Sequence, residues 1–133
     1  MRQSYQRWFR VGVVGIVALG CQACAPVDLE GRWVGTWRAT LWADDGGMTL
    51  DLTQDGDEVE GTFDLSGTVC VGEGRVDGSV DGRQFDATLS NGVGGEVVLD
   101  GRVNAASDRI DGNFEVTSGW CDNATGRFDV KLQ

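Results

Sequence analysis

The chain has 133 residues, 21 acidic against 11 basic side chains, four cysteines and no histidine, which allows one domain. The missing histidine removes the commonest general base, and with it any Ser-His-Asp or Cys-His centre. The acidity disfavours a phosphate-binding surface, so nucleic acid is not an expected partner.

In chain order, Arg2, Arg7 and Arg10 precede an apolar run from Val11 to Gly20 that stops at Cys21. Ten apolar residues make a helix of only about 15 Å, half of a bilayer core, so the segment reads as an export signal rather than a permanent span. Its last residues, "VALGC", resemble the bacterial lipobox, in which a small residue precedes a cysteine that is lipidated and becomes the mature N-terminus. The resemblance implies a signal peptide over residues 1–20, a lipid on Cys21, a tether over residues 21–27 and a membrane partner reached through the anchor. Gln22 after that cysteine, by similarity to enterobacterial sorting, points to the outer membrane. Ordinary signal-peptidase cleavage after "ACA" (Ala23 to Ala25) is the alternative, and it would leave Pro26 at the new N-terminus. Three basic residues leave with the leader, so 8 remain against 21 acidic ones, a mature charge of −13.

From Leu29 a two-residue period sorts apolar from mostly polar side chains over fifteen residues: Leu29, Gly31, Trp33, Gly35, Trp37, Ala39, Leu41 and Ala43 share one face. This predicts a long first strand. Seven further strands follow the same rule, over Met48–Leu52, Val59–Leu65, Gly74–Val80, Phe85–Leu89, Val97–Val103, Ile110–Val116 and Ala124–Leu132. Turn-forming clusters separate them: "DDGG" at Asp44, "DGD" at Asp55, "DG" at Asp81, "NGVGG" at Asn91 and "AASD" at Ala105. No connection has room for a crossover helix, so neighbouring strands must be antiparallel. Eight strands in a meander over residues 28–133 predict an all-β, closed up-and-down barrel, because closure removes both unpaired edges.

Six pentapeptides place a glycine between apolar residues on the inward face: "LEGRW", "VEGTF", "VDGSV", "LDGRV", "IDGNF" and "ATGRF". An inward glycine in a narrow barrel makes room for a neighbour's Trp or Phe and lets the strand coil. Their spacings of 30, 17, 23, 11 and 14 residues are too irregular for a solenoid. A transmembrane barrel would turn its apolar face outward. Here the alternate face carries Glu60, Asp64, Asp77, Asp81, Arg102, Asp111, Arg127 and Asp129, so it meets water.

Loops of a meander alternate between the two ends, which puts Cys70, after the third strand, and Cys121, after the seventh, at the same end. A Cys70–Cys121 disulfide across the barrel mouth is expected in an oxidising periplasm, worth up to about 4 kcal/mol in the chain-entropy view. Cys24 is then left free, acylated or paired between molecules. No metal site is expected, because the chain lacks histidine and the remaining cysteines lack a short paired spacing. The carboxylates at Asp44 and at Asp55 to Glu58 belong to hairpin turns and do not match an EF-hand loop. "NAT" at Asn123 fits a glycosylation sequon, but a bacterial leader makes that asparagine a turn residue. No cofactor and no catalytic residue is expected.

"GRW", Gly31 to Trp33, resembles the G-x-W that opens the first strand of lipocalins and other calycins, ligand-binding antiparallel barrels that include the avidins. The resemblance implies that Trp33 closes one end against an arginine of the last strand, for which Arg127 is the candidate by position. It also raises a small apolar ligand in a barrel lined by Trp33, Trp37, Phe63, Phe114 and Phe128. The inward face carries few polar groups, whereas a specific pocket needs several. The favoured expectation is therefore a lipid-anchored, non-catalytic binding or interaction module of the cell envelope, facing the periplasm or the cell surface, with an unknown protein partner. The alternatives are a carrier of a small apolar ligand and a periplasmic protease inhibitor. Trp42 and Trp120, near the mouth, are the candidate rim contacts. A void of about 300 Å³ or more would favour the carrier, and a filled barrel the interaction module.

Overall fold

The computed structural model describes residues 27–40, 44–68, 71–119, 121 and 123–133. Across them the two-residue period becomes eight strands: β1 (Gly31–Ala39), β2 (Asp45–Asp55), β3 (Glu58–Leu65), β4 (Glu73–Asp81), β5 (Gln84–Ser90), β6 (Glu96–Val103), β7 (Arg109–Ser118) and β8 (Thr125–Leu132). Each pairs antiparallel with the next, and β1 pairs with β8, so the sheet closes into a barrel with no free edge. The predicted fold is the observed one.

Alternation sets the two faces. Trp33, Leu50, Val59, Val76, Phe85, Leu89, Leu99, Ile110 and Val130 are fully buried, and one core cluster runs through every strand. Outward positions such as Glu60, Asp64, Asp77 and Arg102 are exposed. No helix among the described residues is long and apolar enough to cross a membrane.

The inward glycines have a specific partner. Phe63 stands directly opposite Gly74, Phe85 opposite Gly101, Phe114 opposite Gly126, Phe128 opposite Gly112, and Trp37 opposite Gly46. Every phenylalanine of the barrel therefore lies over a cross-strand glycine, whose missing side chain leaves the space that the ring fills. A Cβ on Gly126 would come within 2.6 Å of the Phe114 ring. The same absence lets backbones approach: a Cβ on Gly35 would lie 1.8 Å from the Asp129 carbonyl oxygen.

The first hairpin differs from the sequence reading. β1 ends at Ala39, four residues short of Ala43, and Asp45–Gly47 already pair with Thr36–Arg38. The reversal lies at residues 40–44, where the Ala39 amide donates to the Asp44 carbonyl at 2.9 Å. "DDGG" mimics a turn, but Gly46 serves the close approach instead: a Cβ there would meet the Ser66 carbonyl at 1.9 Å and Trp37 Nε1 at 2.8 Å. Leu41 and Ala43 lie outside the described residues.

One end of the barrel is plugged by the chain as it enters. Val27 and Leu29 are buried, so Val27, counted with the tether from sequence, packs with the core. Gln54 holds this segment by accepting from the Leu29 amide at 2.7 Å and donating to the carbonyls of Val27 and Gly56 at 2.8 Å each. Trp33 closes the same end and donates from Nε1 to the Leu29 carbonyl at 2.9 Å. The turns here are 56–57 and 82–83, of two residues each, and 104–108, of five.

Candidate interaction site at the loop end

The opposite end carries the connections 40–44, 66–72, 91–95 and 119–124. Side-chain packing loosens toward it. Trp33, Val59, Phe85 and Ile110 near the plugged end are fully covered, whereas Trp37 keeps 8% and Phe114 9% of its surface exposed. These two rings meet edge to face, with centroids 6.2 Å apart and planes at 83°, a preferred aromatic geometry. Trp37 Nε1 donates to the Ser66 carbonyl at 3.0 Å, which fixes the indole under the 66–72 loop.

Around that aromatic pair lies an apolar cavity of about 70 Å³, lined mainly by Met48, Leu65, Val71, Val97 and Val116 in addition to the two rings. Its volume is far below the roughly 300–1,000 Å³ of usual small-ligand pockets. Two larger hollows, about 210 and 470 Å³, are open grooves on the outer wall. In them Arg109 pairs with Asp129 and Arg32 with Asp51, while Asp64 and Glu73 of the larger groove stand outside these pairs. Both arginines are raised above their ordinary pKa, first by the hydrogen bond to that aspartate and then by its charge.

The loops are tied by their own polar groups. Asn91 Oδ1 accepts from the amides of Val93 and Gly95 at 2.9 Å, and Ser118 Oγ donates to the Gly94 carbonyl at 2.7 Å. A bulge between Glu96 and Val97 leaves Thr117 out of register at this rim. Asn123 adopts φ 74°, the left-handed conformation of a turn asparagine, as read from sequence.

The five candidate lining residues all point inward and are buried. Only Trp37 and Phe114 reach the mouth cavity, while Trp33, Phe63 and Phe128 fill the core. The Trp33–Arg127 contact implied by the calycin resemblance does not form. Arg127 points outward near the loop end, opposite Arg38, and Trp33 sits at the other end opposite Leu132. Cys121 is half-buried against the core. Cys70, and with it the expected pairing, lies outside the described residues, as do Cys21, Cys24, Trp42 and Trp120.

Sequence reading missed Met48, Leu65, Val71 and Val116 as mouth residues. For Met48, Leu65 and Val116 a signal existed, since each is the inward residue nearest a long loop. Val71 sits in an aperiodic loop and had none. Among the described residues no group of three or more His, Cys, Asp or Glu side chains is arranged to hold a metal ion. Comparison with protein-family models gives no match to this chain, and comparison with curated proteins gives none either.

Proposed function

We propose that this chain is an exported, lipid-anchored barrel of calycin-like architecture that acts as a non-catalytic interaction module in the cell envelope. The observation that carries the reading is the polarity of the barrel. The interior is largely filled, the chain enters at the plugged end beside Trp33, and the longer connections 66–72 and 119–124 gather at the other end over a small apolar cavity. A cavity of about 70 Å³ supports a partner contact over a carried ligand.

The lipobox-like "VALGC" supports acylation at Cys21, and the leader before it supports export. A Cys70–Cys121 disulfide belongs to the same proposal. Cys121 lies at the mouth, and such a bond would tie together the two loops that carry the cysteines.

Mass spectrometry of the protein extracted from membranes tests the reading. The expected result is a mature chain beginning at an acylated Cys21, two hydrogens lighter than its reduced form, with no small molecule retained. An N-terminus at Pro26, or a co-purifying apolar compound in stoichiometric amount, would contradict it.

A further inference from the structure

The mouth combines features that select a class of partner. Its floor is apolar: Trp37, Met48, Val97, Phe114 and Val116 surround the cavity. Asp44 lines it, and Asp45, Asp64 and Glu73 are exposed on the adjoining outer wall, the last two in the groove that also holds Arg32 and Asp51. Asp64 and Glu73 stand directly opposite each other across β3 and β4. Like charges so placed repel, and neither takes part in an ion pair among the described residues. Asp45 has only a loose contact with Arg38, at 3.9 Å.

We infer that the mouth docks a basic polypeptide segment, inserting one branched aliphatic side chain among Trp37, Met48 and Phe114 while flanking lysines or arginines meet Asp64 and Glu73. Three observations choose this occupant. About 70 Å³ suits the tip of one side chain and excludes a whole small ligand. The acidic charge beside the mouth attracts cations and repels anionic head groups. The chain preceding Val27 leaves from the opposite end, and the seven residues from Cys21 to Val27 span at most about 25 Å. On the proposed anchoring, on which this last point alone rests, the mouth therefore faces away from the membrane and is presented to a protein rather than to lipid.

The test uses the full chain, isotopically labelled, titrated with three synthetic peptides of sequence GKKLKKG, GKKSKKG and GEELEEG and observed by NMR. The lysine–leucine peptide is expected to shift the amides of Val71, Val97 and Val116. The serine and glutamate peptides should bind at least about tenfold more weakly, and added salt should weaken the first. Ala124→Leu, which fills the cavity from β8's edge, should weaken the leucine peptide about tenfold with thermal stability retained. Glu73→Gln, at an exposed site that does not threaten the fold, should weaken it severalfold. Equal binding of the leucine and serine peptides, shifts confined to the outer wall, or stronger response to anionic phospholipid vesicles than to peptide would each overturn the inference. Acylated Cys21 without peptide binding would sink this inference alone, whereas peptide binding without acylation would sink only the anchoring.

Discussion

Phe114 and Gly126 exchange space across β7 and β8, and the same exchange recurs for Phe63, Phe85 and Phe128. The alternation in the sequence turns the motif glycines inward; the register adds that Gly101, Gly112 and Gly126 serve rings, whereas Gly31, Gly61 and Gly78 face aliphatic neighbours. In Gly126→Ala the new methyl would lie 2.1 Å from the Arg38 carbonyl and 2.6 Å from the Phe114 ring. Overpacking of this kind costs about 1–3 kcal/mol, so the urea midpoint should fall with the slope unchanged. Gly72→Ala is the matched control, because nothing lies within 4 Å of its Cβ position, and its effect should stay within about 0.5 kcal/mol. From the ring side, Phe85 is fully buried opposite Gly101. Phe85→Ala should cost about 3–5 kcal/mol, since the glycine beneath it cannot fill the void.

Among elements, the entering segment Val27–Glu30 has no strand partner of its own and is held largely by one side chain of β2. Gln54 makes three hydrogen bonds to its backbone and to the following turn. Gln54→Ala should destabilise the fold by about 1–3 kcal/mol, because buried amide and carbonyl groups lose partners. Hydrogen exchange at the Leu29 amide should accelerate more than at Val59 or Val130 in the strands. The contribution of Gln54 was not legible beforehand, since a glutamine near a strand end has no periodic signature. The strands themselves were legible, because half-buried β-structure imposes a period of two on side-chain polarity. The first hairpin misled for a physical reason: Gly46 and Gly47 have turn composition but serve strand approach, while Ala39, Leu41 and Ala43 continue an alternation past the actual reversal. The mouth was legible as an end, from alternation of loops, and Trp37 and Phe114 of its floor from their inward parity, but Val71 was not, because it belongs to no strand.

For the whole molecule, charge is distributed unevenly around the wall. The four ion pairs among the described residues join β1 to β2 and β7 to β8. On the remaining wall Glu60 faces Asp77, Asp64 faces Glu73, and Asp86 faces Asp100. Such pairs are destabilising by a few tenths of a kcal/mol each, and salt screens them. Glu60→Gln should therefore raise stability by about 0.2–1 kcal/mol at low salt. The gain over the parent should shrink as sodium chloride is added, a trend that thermal unfolding at several salt concentrations will follow.

Closure is the property on which the plugged end, the mouth and the loop placement depend, and it rests on the pairing of β1 with β8. NMR distance contacts between these strands test it most directly. The account predicts backbone contacts from Gly35 to Val130 and from Trp37 to Phe128, with slowly exchanging amides along both strands. Missing contacts between β1 and β8, with rapid amide exchange along their facing edges, would show an open sheet and contradict it.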